Sequence, residues 1–574
     1  MFKKSIYPFL IVCQTLFAQS KADKIDRLVQ VYHDNQLFSG AVLVAEHGKV
    51  IYRKGFGYAN MEWDIPNTPD TKFRLGSLTK QFTAAIIMQL VERGKLGLDG
   101  RITDILTDYP GKTGDKITIH QLLTHTSGLP SYTDIPEYFK DNYVRKSMKP
   151  REIIDLFKDR ELTFEPGSRW AYSNSGYIVL GAIIEKITGK PYEQVLKENI
   201  FDPAGMTDSG YDHPETIIKK RAAGYDKVPG GYRNCDFVDM SSPYSAGAVY
   251  STVEDLFKWD QALYTGKLLS EESKRKIFTG YYNASGGLRY GYGWMTKCVP
   301  TGGDDSTRIF VHGGGIYGFN TVMVRQTEKN NCIVLLNNTP GARLGEVTDL
   351  ISNILYGLPY EMPQRSASAK LYADYTENGI EKAVENCRKS FSAGGKEYDF
   401  SEQELTRLGY EFLSDNKLKE SLAVLKLTAD IHPNSAKAYD SYGEALLATG
   451  DTAAAVANYR KSLELDGKNY NAVAVLKKVN VDVSAYESIS PGLLESYCGR
   501  YQVTPQLVIT ISTENGKMYA EPGGSPRFEI YPETPARFYL KVGDAKAEFV
   551  KEGDKVPYFI LNRNGQEVKC MRIE

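Results

Sequence analysis

Three segments of the chain combine residue types that attack carbonyl carbons and move protons. The first is Ser77-Leu-Thr-Lys80. A spacing of three puts a hydroxyl and an amine on one helical face, within hydrogen-bonding reach. The residues that follow, Phe82 to Val91, are apolar on nearly every side, which predicts a helix buried in a core and stopped at Arg93-Gly94. Burial disfavours the ammonium form of Lys80, and the positive end of the helix dipole pushes the same way, so both make the lysine a better base for Ser77. As the expected first residue of the helix, Ser77 also keeps an unpaired backbone N–H that can face an oxyanion. The same spacing recurs at Ser273-Lys-Arg-Lys276 and Ser414-Asp-Asn-Lys417, which read as a solvated helix start and a loop. A capping serine near a surface lysine is the ordinary cause of such a pair. The apolar helix is what sets Ser77 apart.

The second segment, Glu165-Pro-Gly-Ser-Arg-Trp-Ala-Tyr172-Ser-Asn174-Ser-Gly-Tyr177, leads into another apolar helix ending at Thr188-Gly189-Lys190-Pro191. A phenol beside a buried ammonium has its phenolate favoured, so Tyr172 is a candidate general base. Asn174 offers one donor and one acceptor group, suited to fixing a lysine and a substrate amide together. The third segment, Arg308-Ile-Phe-Val-His312-Gly-Gly-Gly315-Ile-Tyr-Gly-Phe, is an apolar strand running into glycines that leave backbone bare for a ligand. A plain glycine-rich hairpin with an exposed histidine would give the same string.

In this order, Ser77-Leu-Thr-Lys80, Tyr172-Ser-Asn174 and His312-Gly-Gly resemble the active-site motifs of the class C β-lactamase and serine DD-peptidase superfamily. Leu122-Leu-Thr-His-Thr-Ser-Gly-Leu129, Phe201-Asp-Pro-Ala-Gly-Met206, Ser245-Ala-Gly-Ala and Tyr290-Gly-Tyr-Gly-Trp294 agree with the same family, over roughly residues 24 to 357. The resemblance implies an α+β fold: an antiparallel sheet flanked by helices plus an all-helical subdomain, with the Ser77 helix at their junction. It makes Ser77 the nucleophile, shares the proton transfers between Lys80 and Tyr172, and gives Asn174 the positioning of Lys80 and the acyl amide. It puts His312 on an edge strand opposite the serine, with Gly314 and Gly315 at the substrate and the Gly315 N–H completing an oxyanion hole. It leaves His125 structural. Lactamases of this class carry Lys-Thr-Gly where this chain has His-Gly-Gly, and a histidine with a pKa near 6.5 is mostly neutral at pH 7. The expected activity is therefore an esterase, D-amino-acid peptidase or DD-peptidase acting through an acyl-enzyme, with weak or no β-lactamase activity. The competing reading is a non-catalytic penicillin-binding or sensor protein whose repeats recruit a partner.

The elements that must hold these residues occupy the first of three compositional regimes. A chain of 574 residues exceeds what one core usually organises. Residues 24–357 form the hydrolase-like region, and residues 370–482 are rich in Ala, Leu, Lys and Glu. In the latter, Gly409 aligns with Gly443, Leu413 with Leu447 and Leu425 with Tyr459, a period of 34 that resembles tetratricopeptide repeats. Two copies run over 402–434 and 435–468, with a remnant at Asn378 to Ser390 and a closing helix at 469–480. Such a stack binds a protein partner or braces its neighbours. Residues 490–574 alternate as in Val508-Ile-Thr-Ile-Ser, with turns at Asn515-Gly516 and Asn564-Gly565, and predict a small antiparallel β-barrel or sandwich.

The first residues, Met-Phe-Lys-Lys followed by an apolar run from Ile6 to Phe17, read as a signal peptide over 1–18, and hence an exported, periplasmic or secreted protein. Lipidation at Cys13 fits less well, because Val12 precedes it. No later run approaches the roughly 18 apolar residues of a membrane span. Lys plus Arg (70) balance Asp plus Glu (71), which gives no electrostatic reason for nucleic-acid or anionic-membrane binding. The six cysteines beyond Cys13 and the seven histidines lack the spacing of a disulfide framework or a metal site, so no metal or cofactor is expected. The expected partner is a small acyl or peptide substrate, including a cell-wall fragment.

Overall fold

The computed structural model describes residues 19–573 apart from 229–230, 340–342, 485–488, 504–506, 515, 524–526, 542–544, 554 and 564–565. The expected leader, and both expected Asn-Gly turns wholly or in part, lie outside the described residues.

Strands Gly40–Glu46 and Asn331–Asn337 are apolar almost throughout, the pattern of strands covered on both faces. They pair antiparallel as interior strands of an eight-stranded sheet, one strand in from its edge. Alternation divides their side chains between two cores. Ala41, Leu43, Cys332 and Val334 join the core built on helices Thr79–Glu92 and Asn174–Thr188. Val42, Val44, Ile333 and Leu335 meet helices Lys21–Asp34 and Leu344–Tyr356 on the other face. The first core continues into a helical region through Leu122, Ile153 and Phe157.

Thr79–Glu92 is buried along its whole length from Thr79 to Leu90, as its apolar circumference predicts. Its entry differs from expectation. Ser77 lies in a 3-10 turn, Gly76–Leu78, and the α-helix starts two residues later. The cause is Gly76, whose φ of +55° turns the chain so tightly against the sheet that a Cβ there would sit 2.9 Å from the Gly315 nitrogen.

Strand Asp305–Ile316, which carries His312, is interior rather than at the edge of the sheet. Its neighbour Met295–Gly302 stops pairing at Val311, however, so the stretch from His312 to Ile316 forms a local edge beside the Ser77 turn.

Beyond the sheet, helices pair as Glu402–Ser414 with Leu418–Ile431 and Ala436–Ala448 with Thr452–Leu465; Ala367–Asn378 with Ile380–Ser392 precedes them and Tyr470–Lys478 follows. The 34-residue alignment has a packing reason: a Cβ on Gly409 would meet Leu425, and one on Gly443 would meet Tyr459, so the glycines mark equivalent helix crossings. The last eight strands close into a barrel, with Tyr501 and Gln502 paired to Arg572 and Met571. Helix Pro491–Tyr497 packs against it, stacking Tyr497 on Phe549 at 4.4 Å. Between the helices and the barrel lies buried Lys541, which donates to Asp440 and to Glu444. No described helix is long and apolar enough to cross a membrane.

Candidate active site

The Ser77 turn, the start of helix Asn174–Thr188 and the segment Tyr244–Gly247 converge on the Lys80 amine. Its Nζ lies 3.1 Å from Ser77 Oγ, 2.8 Å from Asn174 Oδ1 and 2.9 Å from the Ala246 carbonyl oxygen. Lys80 is fully buried, and burial without a carboxylate partner holds its pKa well below 10.5. Asn174 is locked in turn: its Nδ2 donates to Thr133 Oγ1 at 3.0 Å and its backbone N–H to Ser131 Oγ at 3.1 Å. Its carbonyl serves the lysine as expected. In this structure its amide serves Thr133.

Tyr172 departs from expectation. Lys80 Nζ stands over the face of its ring, 4.9 Å from the centroid, rather than beside its oxygen. Burial raises the phenol pKa above 10, outweighing a smaller lowering by the neighbouring Ser77 hydroxyl. The Tyr172 hydroxyl is buried and closes no hydrogen bond of normal length. Tyr172 is therefore a neutral phenol at pH 7, able to pass a proton but not to act as a standing phenolate.

His312 is buried, and its pKa is lowered to about 3, chiefly by that burial. Its Nδ1 lies 2.6 Å from the Gly313 carbonyl, which can only accept, so Nδ1 carries the proton. Nε2, 2.9 Å from Tyr290 Oη, then accepts from the phenol. Both ring nitrogens are occupied and the ring is neutral. His312 does not line the cleft; its ring packs beside those of Tyr172 and Tyr290, with centroids 6.4 and 5.8 Å away. Gly314 does not line the cleft either, and a Cβ there would come within 2.0 Å of the Leu75 carbonyl oxygen. It is the position where the strand presses on the chain entering the Ser77 turn. Gly315 does line the cleft together with Ser77 and Asn174.

His125 accepts from the Ser173 N–H at Nδ1, 3.1 Å, and packs tilted against Tyr172, with centroids 4.2 Å apart. Burial, then Lys80 and His312, hold its pKa well below 6.5. It shapes the segment that carries Tyr172, which agrees with a structural role. The other two serine-lysine pairs do not form comparable sites: Lys276 donates to Glu272, and Ser414 Oγ donates to the Glu411 carbonyl. Sequence reasoning missed Ala246 and Tyr290 as members of the site, although both fall in the short strings Ser245-Ala-Gly-Ala and Tyr290-Gly-Tyr-Gly-Trp294.

A serine bonded to a buried lysine at the end of an antiparallel sheet, with an asparagine and a glycine strand around it, defines the beta-lactamase family. The chain belongs to that family, whose model matches residues 25–354. These are serine hydrolases of one fold. The chain is 34% identical over 370 residues to penicillin-binding protein 4* of Bacillus subtilis (strain 168), covering 61% of this chain and 80% of that one. It is 28% identical to esterase EstB of Burkholderia gladioli, over 57% of this chain and 92% of the esterase. Among solved structures, D-amino acid amidase from Ochrobactrum anthropi SV3 is similar with a TM-score of 0.51 at 26% identity, covering 58% of this chain and 99% of the amidase.

Proposed function

We propose that the protein hydrolyses an ester, or a D-amino-acid amide or peptide, through an acyl-enzyme on Ser77, with little or no action on β-lactams. The arrangement around Lys80 Nζ carries this reading. Asn174 Oδ1 and the Ala246 carbonyl can only accept, so they take both N–H bonds of the uncharged amine and leave its lone pair for the Ser77 proton. Ser77 Oγ bonds to the substrate carbonyl carbon as its proton passes to Lys80, and the N–H groups of Ser77 and Gly315 hold the oxyanion. Collapse breaks the bond to the alcohol or amine, which leaves with the proton that Lys80 took from Ser77. Water then attacks the acyl-enzyme, giving up a proton along the same route, and the acid departs as Ser77 is restored. The similarity to an esterase and to a D-amino acid amidase supports both substrate classes. The neutral, fully bonded His312 supports the weakness toward β-lactams, because it offers no cation where family lactamases carry lysine. Incubation with a fluorophosphonate, followed by peptide mass mapping, is expected to place a covalent adduct on the Ser77 peptide. A folded protein that takes up no label would refute the nucleophile.

The remaining assignments rest on sequence pattern. We place the hydrolase region at 24–357, a tetratricopeptide-like stack at 370–482 and the barrel at 490–574. The pattern of residues 1–18 supports export. Since Asp440 and Glu444 of the stack are engaged by Lys541 of the barrel, we assign the stack a bracing role ahead of partner recruitment. Ser77 lines an open cleft with its base in place, which favours catalysis over the non-catalytic alternative.

A further inference from the structure

The cleft at Ser77 has a volume of about 310 Å³, near the lower end for small-molecule sites. None of the described residues lining it carries a formal charge at pH 7. Its walls are the rings of Tyr132, Tyr138, Phe139 and Tyr317 with Val144 and Val238. Two of the tyrosine hydroxyls are turned away from any occupant: Tyr132 Oη donates to the Ser242 carbonyl at 2.9 Å, and Tyr138 Oη pairs with Ser242 Oγ. These rings therefore present apolar faces. The polar groups that remain are Ser77, Asn174, Thr133, the Tyr317 hydroxyl and backbone.

The charges nearest the cleft do not supply what a carboxylate needs. Lys80 is committed to three oxygens. Arg145, which follows Val144, is paired with Asp236 at 3.2 Å. His312 does not line the cleft, and both its ring nitrogens are occupied. The charge that does stand close is negative. Asp134 is next to Thr133 of the wall, accepts from the Thr133 hydroxyl at 3.4 Å, and has no cation within ion-pair distance among the described residues. Burial raises its pKa to about 6, so it is largely an anion at pH 7.

Resting on the hydrolase reading above, we propose that the substrate is an ester or amide of an uncharged, ring-bearing carboxylic acid, and that a free carboxylate on either side of the scissile bond is rejected. A carboxylate entering the cleft would lose water, meet no cation and approach Asp134. Substrates ending in a free α-carboxylate, and bicyclic lactams bearing one, are excluded by the same argument. A neutral acyl ring instead gains burial against the tyrosine and phenylalanine faces.

The test uses a matched pair on the full chain: the phenylacetyl ester of glycolamide, and the phenylacetyl ester of glycolate, which differ by an amide for a carboxylate. The expected kcat/KM ratio is on the order of 100 in favour of the amide, the scale of discrimination against a group left unpaired in a site. A ratio below about 10 would overturn the proposal. Ile316→Lys, which adds a cation at the cleft wall, is expected to narrow the ratio by raising turnover of the glycolate ester; an unchanged ratio would show that charge is not the discriminator and would also overturn it. If neither ester acylates Ser77 and the fluorophosphonate also fails, the hydrolase reading itself falls, which separates the two failures.

Discussion

Lys80 and Lys541 are both buried, one beside the cleft and the other between the helical stack and the barrel. Lys80 has only neutral oxygens around it, and burial drives its pKa well below 10.5. Lys541 meets the same burial, but Asp440 and Glu444 outweigh it and hold the pKa well above 10.5. The first is an amine ready to accept a proton, the second an ammonium that ties two parts of the chain together. Burial alone does not decide what a lysine is for. The charge of its partners does.

The comparison can be broken at either end. Lys80→Ala removes the base while leaving Ser77 in its turn, and fluorophosphonate labelling of Ser77 is expected to slow by about 10³-fold or more. Lys541→Ala leaves Asp440 and Glu444 without their cation, and a loss of about 3–5 kcal/mol is expected in urea unfolding of the stack and barrel. Labelling of Ser77 under native conditions should then be unchanged. Equal effects of both substitutions on labelling would erase the distinction.

It can also be sharpened by converting one lysine toward the other. Asn174→Asp gives Lys80 the carboxylate partner that Lys541 enjoys, so its pKa should rise. Labelling near pH 7 is expected to fall by about 100-fold and to recover as pH is raised. A fall that no alkaline pH restores would point to lost geometry instead.

The smallest effect concerns His312, a second buried base held neutral. Its pKa is about 3 in the folded chain against an ordinary 6.5, so between those values the unfolded chain binds more protons. Stability should therefore fall as pH drops from 6.5 toward 3, by up to about 1.4 kcal/mol per pH unit from this group. His312→Gln is expected to flatten that slope in urea melts at pH 6.5 and 4.5. Lys541 behaves oppositely: its contribution is complete below 10.5 and is lost as pH rises through its elevated pKa.

What could be read from sequence divides by range. Ser77 and Lys80 were legible because one helical turn sets their separation, and the apolar run behind them announced burial. Asn174 was legible from its place before a second apolar helix. Ala246 was not, because its carbonyl is chemically identical to every other and only tertiary packing aims it at Lys80. The neutral state of His312 followed from the ordinary histidine pKa, but its tautomer depends on Tyr290, which arrives from another strand. The phenolate expected of Tyr172 failed because proximity to a cation was inferred without direction, and the amine lies over the ring instead of beside the oxygen. The close approach of Gly314 to the Leu75 carbonyl was not legible, because it is a tertiary contact between distant segments. Alternation in the tail established antiparallel strands, while closure into a barrel rests on the Tyr501 to Arg572 pairing, which no local pattern records.

The three oxygens around Lys80 also differ in how far along the chain they lie: 3, 94 and 166 residues away. The first contact comes with a single turn of helix. The other two require closing loops of very different length, which is the slow part of building a topology. Reactivity of Ser77 is thus a late event in folding, and the rate at which label uptake returns after dilution from denaturant would time the arrival of the most distant segment.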